Sequence, residues 1–262
     1  MTSTVDIAAA ERRSWESLPP FEGEIDAADQ LVIIAQKGGA KSTLWASLTL
    51  DIPSLVALDD KGSLSLPDAV AYDLPPYSKT APDEYAEAVD SAIRWREGGT
   101  TRWAIFRSDA PRRATNRVIL RVDPADTDEP TPHDVIFREL FRNRQDTLVV
   151  IDEISATGAT PHVIPRWLRA LSARGRTRGT GLWTCTQAAF GLVPGILIRN
   201  AGYIVVGPIP ATDARDLRRD GAELAAEIAP RTGRFIVWAQ GDRQPYRLFV
   251  PIPPRLRGWE AP

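Results

Sequence analysis

The chain is poor in the residues that carry redox and metal chemistry. It has one cysteine, Cys185, which excludes a disulfide framework and a thiolate metal cage. Two histidines, His133 and His162, argue against zinc chemistry. All three are read as structural residues. No run approaches 18 consecutive apolar residues, so no transmembrane segment is expected. Met1 to Ile25 holds no apolar h-region, so no secretory leader is expected either. These absences predict a reducing, cytoplasmic setting. Lysine is scarce as well. Lys37, Lys41, Lys61 and Lys79 are the only lysines among 32 basic residues, and the rest are arginine. Two of the four lysines share one glycine-containing loop.

What remains describes an ordinary folded domain, 43% hydrophobic and 25% charged, with a formal net charge of −2. Residues 1–29 read as a polar N-terminal extension, 30–250 as the folded domain, and 251–262 as a Pro/Arg-rich tail. Short apolar runs bounded by Gly, Pro or Asp predict strands at Leu31–Ala35, Leu55–Leu58, Trp103–Phe106, Val118–Val122, Leu148–Ile151, Leu182–Thr186, Tyr203–Val206, Phe235–Ala239 and Arg247–Val250. Amphipathic stretches predict helices at Ser42–Leu50, Asp83–Arg96, Pro132–Arg144 and Pro161–Arg174. This alternation predicts an α/β fold, with a mostly parallel central sheet flanked by helices. A hairpin-like insertion is expected around residues 107–121. The eight tryptophans read as core and interface anchors.

The first strand runs straight into Gln36-Lys37-Gly38-Gly39-Ala40-Lys41-Ser42-Thr43. A phosphate-binding loop is written GxxxxGK[ST], and here Ala35 and Ala40 stand where both flanking glycines belong. The remainder fits. Backbone N–H groups of the turn would converge on phosphates, and the following helix would point its N-terminus at them. Lys41 would reach the β- and γ-phosphates, and the Ser42 hydroxyl would ligate Mg²⁺. An alanine forced to positive φ costs ~1–2 kcal/mol, so Gly38 and Gly39 are expected to take over the permissive positions and re-route the loop slightly. A plain strand–turn–helix is the competing reading. Further on, Thr147–Ile151 is an apolar strand that delivers Asp152 and Glu153 to the sheet's C-terminal edge, where open α/β sheets bind ligands. Asp152 could hold Mg²⁺ there and Glu153 could polarise an attacking water. Alone, such a pair is as often a helix N-cap; with the Lys41 loop it predicts a site for ATP and Mg²⁺.

Together these elements resemble the FtsK–HerA superfamily of DNA-pumping ATPases. The resemblance rests on the loop, on Asp152-Glu153, and on the stretch Ala170–Gln187 with its Gly175-Arg176, Gly179 and strand-terminal Gln187. Asp59-Asp60-Lys61-Gly62 is similar to the family's "DPKG" element, and Arg199-Asn200 fits its pattern. The resemblance spans roughly residues 30–210, with the glycine-poor loop its main departure. It implies a RecA-like P-loop NTPase, most similar to viral genome-packaging ATPases. On that reading Gln187 senses the γ-phosphate or attacking water. Arg176 acts as an arginine finger across a subunit interface, with Arg174, Arg178 and Arg199 as rivals. Lys61, Arg112, Arg113 and Arg117 are weaker candidates for contact with DNA phosphates.

The expectation is therefore an ATP-driven translocase of double-stranded DNA. It would grip DNA without sequence preference, assemble as a homo-oligomeric ring and meet a capsid vertex or portal-type protein. Its place would be the host cytoplasm or the virion. A partition-type ATPase that switches dimerisation is the first alternative, although its KGGxGKT loop is one residue longer. The second is a structural P-loop subunit that does not hydrolyse nucleotide.

Overall fold

The structure, a computed structural model, describes residues 14–66, 69–97, 100–102, 116–187, 193–217, 219 and 221–251. Its centre is a nine-stranded sheet in the order β11-β10-β9-β1-β8-β7-β2-β6-β3. The strands are β1 (Gln30–Ile34), β2 (Ser54–Asp59), β3 (Ala69–Asp73), β6 (Asn116–Arg121), β7 (Leu148–Ile151), β8 (Gly181–Thr186), β9 (Tyr203–Val206), β10 (Arg234–Ala239) and β11 (Tyr246–Phe249). From β9 to β3 all pairings are parallel; β10 runs antiparallel to both β9 and β11. A separate hairpin pairs β4 (Trp95–Glu97) with β5 (Thr100–Arg102). This is the mostly parallel, helix-flanked sheet of a RecA-like P-loop NTPase.

The continuous apolar strands are buried on both faces, as covered parallel strands must be. Side-chain alternation splits each one between two cores. Val32 and Ile34 of β1 and Val149 and Ile151 of β7 face one core; Leu31, Ile33, Leu148 and Val150 face the other. The first core is roofed by α2 (Pro82–Ile93), α3 (Pro130–Asn143), α4 (Arg166–Arg174), α5 (Gly195–Asn200) and α6 (Ala211–Asp216). The second is covered by α1 (Lys41–Leu48), with Leu64 and Leu66 beside it. The N-terminal segment crosses the antiparallel end of the sheet, where the Trp15 indole N–H donates to the Phe235 carbonyl at 2.9 Å. No described helix is long and apolar enough to cross a membrane.

Several boundaries differ from those expected. The helix predicted from Pro161 starts at Arg166. Pro165 stands just before it, because a proline inside the helix would lose a hydrogen bond and clash with the preceding turn. The strand β3 and the six-residue helices α5 and α6 were not expected. The predicted strand Trp103–Phe106, residues 1–13 of the extension and 252–262 of the tail lie outside the described residues.

Candidate nucleotide-binding site

The loop between β1 and α1 keeps the shape of a phosphate loop despite its alanines. Ala40 is held at φ 66° and ψ 25°, in the left-handed region, immediately before the first helical residue. Gly38 shares that conformation at φ 75°, with open space around it. The strain is therefore borne by Ala40, and the expected transfer of every permissive position to the glycines is corrected. Ala35 is not at positive φ, so its methyl group costs no backbone strain. The methyl has a packing consequence instead. A Cβ on Gly39 would lie 2.8 Å from it, and one on Gly207 3.0 Å from it. Gly39 thus leaves room for Ala35, and its N–H closes the loop on the Gln36 carbonyl at 2.8 Å.

No side chain caps α1, since Ala40 has no acceptor to offer. Its first-turn N–H groups are therefore available to an anion at the cleft. Lys41 is buried, and its ammonium donates to the Ala35 carbonyl at 3.1 Å. Burial pushes its pKa below the ordinary 10.5, against the opposing pull of nearby groups that include the Glu153 and Asp152 carboxylates. Cys185, one strand away on β8, has its thiol pushed well above its ordinary value by burial, so it carries no charge here.

The parallel topology brings the second motif to the same place. β7 lies two positions from β1, with β8 between them. Asp152 follows β7, and its Oδ1 accepts from the Ser42 hydroxyl at 2.9 Å. The same oxygen accepts from the Trp45 indole N–H at 3.0 Å. Gln187 follows β8, between the loop and Asp152. A cleft of about 720 Å³ is lined by all eight residues Gln36 to Thr43, and by Asp152, Gln187 and Lys61. Three of the four lysines in the chain therefore meet in one cavity, joined by Arg231 and faced, among the described residues, by a single lining carboxylate, Asp152.

The donor set suits Mg²⁺. A hydroxyl and a carboxylate oxygen converge within hydrogen-bond distance, and a hard cation of this size takes one or two such ligands, completing its shell with water and substrate phosphates. Among the described residues no cluster of three His, Cys, Asp or Glu side chains could hold a metal by itself.

Other expected site residues lie elsewhere. Glu153 adjoins Asp152 but does not line the cleft; its carboxylate accepts from Ser155 Oγ at 3.1 Å. Arg176 sits before β8, at the opposite edge of the sheet, and bridges Asp29 at 2.8 Å while 58% exposed. It cannot serve the cleft of its own chain. Arg117 corrects the sequence reading. It is buried on β6 and donates to the carbonyls of Thr49 at 2.7 Å, Leu50 at 3.3 Å and Ile52 at 3.4 Å, so its guanidinium is not offered to DNA. Arg112 and Arg113 lie outside the described residues. His133 is fully buried, between Asp60 and the Glu129 carbonyl at 2.8 Å each.

Two contributors were not anticipated: Trp45, fully buried behind the cleft against Asp152, and Arg231 on the cleft wall. Trp45 was traceable: it lies one helical turn beyond Ser42, hence on the same face. Arg231 follows a proline in an irregular loop and carries no pattern that sequence could expose.

Comparison with family models and with curated proteins returns no match. Solved structures do match. The genome-packaging NTPase B204 of Sulfolobus turreted icosahedral virus 2, in complex with AMPPCP, superposes at a TM-score of 0.55 with 14% identity, over 85% of this chain and 97% of that one. VirB4 of Thermoanaerobacter pseudethanolicus gives 0.55 at 12% identity, over 91% and 96%. The bacterial conjugative coupling protein TrwB gives 0.53 at 12% identity, over 87% and 86%. The fold expected from the FtsK–HerA resemblance is the fold that this chain has.

Proposed function

We propose that the chain is an ATPase that drives double-stranded DNA through a homo-oligomeric ring, in the manner of a viral genome-packaging motor. One observation carries this reading. Lys41, Ser42, Asp152 and Gln187, drawn from three separate stretches of sequence, line a single cleft beside an uncapped helix N-terminus. Loop amides and Lys41 hold the phosphates, and Ser42 with Asp152 holds Mg²⁺. The metal supplies charge neutralisation on the phosphates. Glu153 is the general base, reaching the water through a rotation of its side chain away from Ser155. Gln187 orients that water or the γ-phosphate. The roles of the structural neighbours, genome packaging and conjugative coupling, support DNA as the moved polymer. Ring, capsid or portal partner and host-cell location rest on the same analogy.

The retained loop geometry favours nucleotide binding over a purely structural role, because Ala40 is kept at a strained φ that nothing but the loop's shape requires. Lys61 belongs to the cleft wall, so its contribution is to the nucleotide before DNA. Arg176, remote from its own cleft, acts on the nucleotide of a neighbour. The test is a mixing experiment on DNA-stimulated ATP turnover. Arg176→Ala and Lys41→Ala chains are each expected to be inactive alone and to regain part of the activity when combined, because each supplies what the other lacks. Absence of rescue at every ratio removes Arg176 from the site. Turnover by Lys41→Ala at the wild-type rate removes the phosphate loop.

A further inference from the structure

The sheet order assigns directions to the cleft. The loop leaves β1. Asp152 follows β7, two strand positions to one side, and Gly233 precedes β10, two positions to the other. At a strand spacing of about 4.8 Å, each lies roughly 10 Å from the loop strand, in opposite directions. On the nucleotide-site reading, Ser42, Asp152 and Gln187, which line the cleft on the β7 side, would hold the metal and the terminal phosphate there. An extended nucleotide anchored there continues toward β10.

The wall on that side has a different chemistry. It is made of Gly233, Phe235 and Val250, apolar apart from the backbone. Gly233 sits at φ 72°, and a Cβ on it would stand 2.6 Å from the Val250 carbonyl, so this backbone stays bare and close-packed. Arg231 projects from the same wall. It is exposed and held at φ 60°, a strained value for a side-chain-bearing residue. Among the described residues its side chain has no hydrogen-bond or ion-pair partner. An apolar surface with one convergent polar group is the usual make-up of a site for a flat organic ligand. A planar guanidinium both stacks on aromatic rings and donates in a fork.

We propose that the β10–β11 wall is the nucleoside subsite, and that Arg231 recognises the base and sugar of the bound nucleotide rather than its phosphates. The proposal rests on the nucleotide-site reading above and adds the ligand's orientation. It is tested by isothermal titration of the full chain with ATP and, separately, with inorganic tripolyphosphate, both with Mg²⁺, for wild type, Arg231→Ala and Arg231→Lys. Wild type is expected to bind ATP more tightly than tripolyphosphate. Arg231→Ala is expected to weaken ATP about tenfold, as loss of a charged hydrogen bond does, and to leave tripolyphosphate unchanged. Arg231→Lys recovers only part of the loss, because an ammonium does not stack as a plane. Equal weakening of both ligands makes Arg231 a phosphate contact and overturns the proposal. So does an unchanged ATP affinity. Wild type binding neither ligand overturns the nucleotide site itself, and the subsite with it. Arg231 is exposed, so thermal melting of its variants should match wild type and separate lost binding from lost fold.

Discussion

The two ends of α1 meet opposite fates. Both leave backbone groups without partners inside the helix, N–H groups at the start and carbonyls at the end, and both carry partial charge from the helix dipole. The C-terminal end is satisfied within the chain. Arg117 reaches in from β6 and donates to the carbonyl of the C-cap residue Thr49, which is buried, and to the half-buried carbonyls of Leu50 and Ile52 just beyond it. The N-terminal end has no capping side chain and opens on a cleft lined by Lys37, Lys41, Lys61 and Arg231. One end is closed within the chain and the other is left without a cap, facing the cleft. The same cationic chemistry thus closes the helix at one end and, on the proposed reading, meets the ligand at the other, and what decides is which edge of the parallel sheet the residue reaches.

The largest expected effect breaks the open end. Lys41→Ala should weaken ATP binding by at least about a hundredfold, since a buried charged contact to phosphate is lost, while the melting temperature holds or rises. Titration calorimetry and thermal melting read the two quantities independently. The pH dependence of wild type sharpens the point. Burial sets the Lys41 pKa below 10.5 in the folded chain, so unfolded chains bind more protons in the window just beneath 10.5. Lys41's contribution to stability must therefore increase with pH across that window. Its contribution to ATP affinity must decrease, because the deprotonated amine no longer attracts phosphate. Affinity and this stability component moving in the same direction would contradict the assignment.

Breaking the closed end should reverse the pattern. Arg117→Ala removes three hydrogen bonds given by one buried guanidinium, leaves Thr49 with only the Ile52 N–H, and empties the space the side chain fills, so it should lower stability by about 2–3 kcal/mol. For a chain of this size that is a fall in melting temperature of roughly 5–10 °C. DNA affinity below the melting point should not change. A loss of DNA binding with unchanged melting would return Arg117 to the surface role that its sequence position suggested.

Sequence and structure agree where the information is local. The phosphate loop occupies the eight consecutive residues Gln36 to Thr43, and Asp152 directly follows a plain apolar strand, so both were legible. Arg117 was not, because its partners lie 65 to 68 residues away and only the folded sheet brings them together. The strand β3 was missed for a different reason. It is an edge strand whose five residues are all exposed or half-exposed, so burial imposed no pattern on it. The helices α5 and α6 span six residues each, too few for a helical period to declare itself. The strand order could not be read at all, yet it alone explains why Gln187 stands between the loop and Asp152.

A smaller effect is expected at Trp45, which lies between the two ends. Its indole N–H and the Ser42 hydroxyl share one oxygen of Asp152. Trp45→Phe keeps most of the ring in the core and removes only the donor. The carboxylate then loses one of its two anchors, and half-maximal nucleotide binding should need about five- to tenfold more Mg²⁺. Nucleotide affinity measured in chelator should stay as it was. A loss equal with and without Mg²⁺ would mean that the tryptophan serves packing alone.

The smallest effect concerns Ala40, where the open end of α1 begins. Its φ of 66° places a Cβ where left-handed backbone crowds it, and as the residue before the helix it offers no cap. Glycine removes the steric cost and is also the better residue at that cap position. It adds entropy to the unfolded chain, which works in the opposite direction by somewhat less than the strain relieved. Ala40→Gly should therefore raise stability by about 1 kcal/mol, and ATP affinity should rise or hold, because the loop already has the required shape. The matched change at Ala35 carries no such gain, since Ala35 is not at positive φ and its methyl fills the space against Gly39 and Gly207. Ala35→Gly should cost stability through lost packing and added chain entropy. Two alanines that look like the same departure from a glycine motif thus predict opposite signs in thermal melting. Equal signs would show that the strain at Ala40 is not what limits this loop.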